Sequence, residues 1–307
     1  MMNYNMSLLW FLRSIIVGFY LYRLKKYFFH LNVSIYILFH FKKPINTIIK
    51  IRNKKYPFIL EKKNGKTIEI KSKIQLSFIL KKMENMFSIE NNLLTIKFNS
   101  KLLKFTNYES MELDIFSQKL YSNISVKNKT VIDVGGGVGD SALLYRTLGA
   151  KKVIMIEPQL VFFESAKQNI ELNKELQNIE IHNLVLSSTI GIYMIDHKQS
   201  GDLGEINESK ENGVPIPKIT IDKFLSNYHE QNFVLKMDCE SCEYDVLLSI
   251  PEDTLRKFEY IFIEFHNGCL NISQRLEKSG FKIKILNSKL TPKKRCRGHL
   301  LATRNKL

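Results

Sequence analysis

Residues 130–142 read TVIDVGGGVGDSA, an apolar run that breaks into glycines and resumes with small, helix-compatible residues. Val131, Ile132 and Val134 predict a buried strand, Gly135, Gly136, Gly137 and Gly139 a tight turn, and Asp140 to Tyr145 the start of a helix. A strand, a glycine turn and a helix N-terminus in that order make a cofactor seat, because a ligand can approach backbone that no Cβ shields. The next apolar run, VIMIEP at 153–158, carries Glu157 eighteen residues after Gly139. An acidic residue there faces ribose hydroxyls and favours an adenosine-type cofactor over a bare phosphate. Asp133, ahead of the glycines, would repel a pyrophosphate but suits the amino group of S-adenosylmethionine. The stretch therefore points to a methyl donor.

At 307 residues, 44% of them hydrophobic, the chain can hold one substantial core and a smaller attachment. Its net charge of +16 is unevenly spread: residues 1–90 hold 17 of the 46 Lys and Arg but only 4 of the 30 Asp and Glu. The four cysteines, Cys239, Cys242, Cys269 and Cys296, give no disulfide framework and suit reduced thiols in a cytoplasmic compartment. Cys239 and Cys242 form a C-x-x-C pair, but the other two do not repeat the spacing that a zinc site needs.

Three segments follow from the patterning. Residues 1–45 are apolar and basic, with aromatics interleaved among Arg23, Lys25, Lys26, Lys42 and Lys43. Three placements fit: helices lying in a membrane interface through residues 7–43, a helical cap on the rest of the chain, or a span of residues 7–24. In a span, Arg13 would cost roughly 2.5–3.5 kcal/mol. Residues 46–107 read as a small β-rich lead-in, with hairpin turns at Asn64-Gly65 and Asn99-Ser100 and a helix over 75–87 between them. Residues 108–307 form the third segment. After a helix over 111–121, strands near 131–134, 152–156, 179–182, 192–195, 233–237, 259–265, 281–286 and 298–303 alternate with helices near 140–148, 160–173, 220–228, 243–249 and 271–279. That alternation predicts an α/β fold with a doubly wound, mostly parallel sheet, and the closing pair of strands supplies one antiparallel edge strand.

From about Tyr108 to Arg304 the chain resembles the FkbM-type S-adenosylmethionine-dependent methyltransferases. The resemblance is carried by VIDVGGGVGDSALLY, GAKKVIMIEP with NIELN downstream, ITIDKFL, FVLKMDCESCEYDVL and YIFIEFH, in that order. It implies a class I methyltransferase (Rossmann-like) fold, and many members look like O-methyltransferases of sugars or other small hydroxylated groups. Gly136 and Gly137 stand where the family usually shows Ala and Asn. Ser241 and Cys242 replace its usual Gly and Ala, which puts a serine where the backbone wants glycine's freedom.

Ligands of such a sheet bind beyond the carboxyl ends of its strands. The expected donor site is Asp133 with Gly135, Gly137, Gly139 and Asp140 at the methionine end, Glu157 at the ribose, and Asn183 and Leu184 beside the adenine. Side chains two apart on a strand point the same way, so Asp238 with Glu240, and Glu264 with His266, aim into one crevice. Asp238, Glu240 and His266 are the expected catalytic residues, orienting or deprotonating an acceptor hydroxyl. Those same oxygen and nitrogen ligands could hold Mg²⁺ or another divalent ion, but carboxylates at strand ends are commoner as acceptor-binding groups, so no metal is assigned. The expected partner is a small-molecule or glycan acceptor. RNA is the rival acceptor, favoured by basic charge, but the fourth core strand ends in Asp238-Cys239-Glu240 without the Pro-Pro-aromatic arrangement that stacks a target base. A catalytically inactive, membrane-associated binding protein is the other rival.

Overall fold

The computed structural model describes residues 37–304 apart from 54, 81–85, 109, 112–113, 118–120, 122–123, 197–212 and 291–294. The chain divides into two compact units, residues 1–87 and 88–307. The apolar segment expected over residues 7–24 lies outside the described residues. Among the described residues no helix is long and apolar enough to cross a membrane.

In the first unit, helix α1 (Pro44–Asn53) precedes the hairpin of β1 (Phe58–Glu61) and β2 (Thr67–Ile70), and helix α2 (Lys73–Leu80) follows. Asn64-Gly65 turns this hairpin as the sequence predicts, with Gly65 at φ 86°. Ile48 and Ile51, three apart on one face of α1, bury themselves with Leu60, Ile70 and Leu76 in a small core.

The second unit opens with a three-stranded sheet, β3 (Phe87–Glu90), β4 (Leu93–Phe98) and β5 (Lys101–Phe105), whose first strand begins at the boundary. Asn91, Asn92, Asn99 and Ser100 all have positive φ, the conformation that two-residue hairpin turns demand. A short helix α3 (Asp114–Ser117) lies within the helix expected over 111–121. The main body then alternates: β6 (Thr130–Val134), α4 (Asp140–Thr147), β7 (Lys152–Ile156), α5 (Leu160–Leu172), β8 (Ile179–His182), β9 (Val185–Leu186), β10 (Gly191–Asp196), β11 (Gly213–Ile219) and α6 (Ile221–Leu225). It continues with β12 (Phe233–Met237), α7 (Cys242–Ser249), α8 (Glu252–Leu255), β13 (Phe258–Phe265), α9 (Leu270–Lys278), β14 (Phe281–Leu290) and β15 (Cys296–Arg304).

Seven of these strands make one sheet in the order β14-β15-β13-β12-β6-β7-β8. All neighbours from β13 to β8 are parallel, whereas β15 is antiparallel to both β13 and β14. This is the class I methyltransferase arrangement, with the antiparallel member one place in from the edge. Every residue of β6 and β12 is buried, as expected for central parallel strands covered on both faces.

The sequence reading omits α1, β3, β9, β11 and α8. Pro215 and Pro217 argue against a strand in GVPIPKI, yet β9 pairs only with Lys218 and Ile219. Among the described residues, the prolines therefore lie where β11 is paired on one side alone, by β10, and no ladder donor is missed.

From β6 the chain steps outward to β7 and β8. It then returns to the other side of β6 to lay down β12 and β13. The switch point falls between β6 and β12, whose carboxyl ends lead into residues 135–139 and 238–241.

Candidate active site

The two loops at the switch point touch. A Cβ on Gly135 would lie 1.9 Å from the carbonyl oxygen of Asp238, so only glycine lets the first loop pass the end of β12. Gly137, at φ 54°, has nothing within 4 Å of where its Cβ would be and leaves that side of the loop open. The loop is fixed from below: Gly135 N donates to Ile156 O at 2.9 Å, and Lys236 Nζ donates to Gly135 O at 2.8 Å.

Lys236 is the residue that sequence reasoning missed here. It stands beside Asp133 in the register of β12 and β6, and its ammonium lies 3.1 Å from Asp133 Oδ1. Both are buried, and Ser141 Oγ donates to Asp133 Oδ2 at 2.6 Å. Each strand carries one charge in an otherwise apolar run, and strand adjacency in this fold is the signal that pairs them. Asp133 thus sits beneath the glycine loop rather than on the wall of the cleft.

That cleft takes in about 890 Å³, part of it open to solvent, and is walled by Gly135–Val138, Asp140, Glu157, Leu184, Asp238 and Glu240 among others. Glu157 is buried at its edge, accepting hydrogen bonds from Gly137 N and Gln159 N, each at 2.9 Å. Burial pushes its carboxyl up to about 7, against the opposing effect of those two N–H groups. Asn183 is turned away from this wall: its amide donates to the carbonyls of Glu157 and Pro158, both at 2.9 Å, and so shapes the turn that presents Glu157. Gly139 faces Ala166 of α5.

Two buried asparagines, also missed, tie this half together: Asn169 in α5 and Asn173 at its C-cap. Asn169 accepts from Thr106 N at 3.0 Å and donates to Val138 O at 3.0 Å in the glycine loop. Asn173 accepts from Lys104 N and donates to Lys104 O, closing the free side of β5. Both belong to the NIELN stretch.

At the other end of the cleft, Asp238, Glu240 and His266 bring one ligand atom each within 4.8 Å of one another. His266 is buried at the end of β13, with Nδ1 3.0 Å from Oε1 of the fully buried Glu243 and Nε2 3.3 Å from Glu240 Oε2. Burial lowers its basicity, but Glu243 and Glu240 raise it by more. Arg297, from the start of β15, donates to both oxygens of Glu240, at 3.2 and 3.0 Å. Burial first, and then the charge of Glu264, push Asp238 up to about 7. Glu264 is held down at about 2: burial opposes this, but His299, 3.3 Å away, outweighs it. Tyr244 OH accepts from the backbone of His266 and Asn267 and donates to Gly268 O, which fixes the loop after β13.

Between these carboxylates the backbone is strained. Ser241, at φ 99°, sits in left-handed space, as its replacement of a family glycine leads one to expect. The thiols differ from expectation: Cys239 and Cys242 are joined in a disulfide across this turn, leaving Cys269 and Cys296 free. The two half-cystines lie three residues apart around the turn, close enough to bridge, which the count of four cysteines could not show.

Residues 133–283 match the family model of the methyltransferase FkbM domain. No curated protein matches the chain in sequence. Among solved structures, the chain is similar to a ribosomal protein L11 methylase from Lactobacillus delbrueckii subsp. bulgaricus, with 17% identity over 60% of this chain and 75% of that one and a TM-score of 0.36. It is also similar to a magnesium protoporphyrin IX methyltransferase from Synechocystis PCC 6803, solved with bound SAM, with 14% identity over 61% and 74% and a TM-score of 0.33.

Proposed function

The chain is an S-adenosylmethionine-dependent methyltransferase carrying the FkbM domain, and from that premise we propose that it methylates a hydroxyl of a sugar, glycan or similarly small acceptor. The donor fits what is present: a loop bare of side chains at Gly137, a buried carboxylate at Glu157, and Leu184 on the same wall. Bound there, it supplies an electrophilic sulfonium methyl group. In this reading the loop backbone and Asp140 hold the methionine end, with Asp133 and Lys236 stiffening the loop from beneath. Glu157 receives the ribose hydroxyls, and Leu184 packs beside the adenine while Asn183 keeps the Glu157 turn in place.

The acceptor half is Asp238 with Glu240 and His266. They orient the acceptor oxygen toward the methyl group and take up the hydroxyl proton as the new carbon–oxygen bond forms. Positioning supplies much of the rate, and proton removal a further ~10²–10⁴-fold. The observation that carries this reading is that Asp238 and Glu240 line the same cleft as Gly137 and Glu157. The measurement is release of S-adenosylhomocysteine across a panel of hydroxylated acceptors, with Asp238→Asn as the control. That variant is expected to lose at least about 100-fold in turnover while calorimetry still shows donor binding. Undiminished turnover would remove Asp238 from the site.

A further inference from the structure

We infer that Asp238, Glu240 and His266 form a binding site for one divalent cation of the Mn²⁺ type, which holds the acceptor oxygen. The inference rests on the acceptor site proposed above and says what that site contains. The three ligand atoms already lie within 4.8 Å of one another. Octahedral coordination at about 2.1–2.2 Å sets neighbouring ligands on the order of 3 Å apart and opposite ones just over 4 Å, so a small contraction closes the set on an ion.

The imidazole provides an independent observation. His266 is 3% exposed, and its Nε2 makes no hydrogen bond although it is buried and turned toward Glu240. Its other nitrogen, Nδ1, is engaged by the fully buried Glu243 at 3.0 Å. A carboxylate that accepts Nδ1–H fixes the tautomer whose Nε2 lone pair is bare, the arrangement that supports metal-ligating histidines. Glu240 is likewise braced by Arg297, and ligating carboxylates are commonly hydrogen-bonded in this way.

Charge points the same way. Asp238, Glu240, Glu243 and Glu264 converge here against two permanent cations, Lys236 and Arg297, and Lys236 is already paired with Asp133. Two carboxylates with one imidazole suit Mn²⁺, which takes oxygen and nitrogen together, better than Mg²⁺ or Ca²⁺, which prefer oxygen throughout. An acceptor hydroxyl on such an ion would carry a more acidic proton, which would pass to the second oxygen of Asp238 as the carbon–oxygen bond forms, since both nitrogens of His266 are then engaged.

The test is calorimetry and electron paramagnetic resonance of the full chain with Mn²⁺ alone. One equivalent is expected to bind, with affinity falling at least tenfold in Asp238→Asn and in His266→Ala. Glu243→Gln, which acts through His266, should weaken Mn²⁺ by about 10- to 100-fold while leaving S-adenosylmethionine binding intact. Donor binding by each variant reports that it has folded. Absence of Mn²⁺ binding, or binding indifferent to these substitutions, overturns the inference. Turnover that needs Asp238 but survives chelation overturns the cation site and leaves the acceptor reading standing. Mn²⁺ held by these residues with turnover independent of Asp238 does the reverse.

Discussion

Two residues carry sharp expectations. Glu157 is held near pH 7 by burial, and in its ionised form it can accept from ribose hydroxyls. Donor affinity should therefore fall about tenfold between pH 8 and pH 6 by calorimetry, and Glu157→Gln should bind more weakly with a flat profile. Stability of the donor-free chain slopes the other way. A folded carboxyl above its unfolded value of 4.5 contributes most below that value, and the contribution is lost as pH rises through about 7. Ser241 is the second. At φ 99° a serine pays a conformational penalty that glycine avoids, so Ser241→Gly should stabilise by about 1 kcal/mol, read as a raised denaturation midpoint.

At the scale of elements, β6 and β12 are joined by backbone hydrogen bonds and by the Asp133–Lys236 pair at their buried centre. Lys236→Met would strand a buried carboxylate and release Gly135 O from its donor. The expected cost is about 3–5 kcal/mol in denaturant unfolding, and replacing both partners by apolar residues should recover most of it. The elements themselves were legible because apolar runs and glycine turns alternate so plainly: TVIDV, KVIMI and FVLKM are strands where their composition says they are. What stayed hidden depended on neighbours. Lys236 looks like a misplaced charge until β6 lies beside it, and Asn169 and Asn173 look like helix-surface residues until β5 meets them. The carboxylates Asp238 and Glu240 could be picked out by strand-end position. Glu243 and Arg297 became legible only once His266 meets the first turn of α7 and Glu240 meets the start of β15, whereas the Cys239–Cys242 bridge is local and the C-x-x-C spacing was its signal.

For the whole molecule, the two units each bury a core of their own, Ile48, Leu60 and Ile70 in one, and Ile132, Leu235 and Ile261 in the other. The proposed donor site is built from residues of the second, so unfolding followed by circular dichroism should resolve into two steps. The donor should raise the later or earlier step that belongs to residues 88–307 and leave the other unmoved. A single transition shifted as one would show the cores to be coupled. The reversed direction of β15 reaches further. Because that strand runs against the rest, its first residues, Arg297 and His299, arrive at the ligand end of the sheet beside Glu240 and Glu264, where a parallel strand would have delivered its last ones. In the proposed reading, rewriting this final hairpin should therefore change which acceptor is taken while the proposed donor wall, on the β7 side of the switch point, stays as it is.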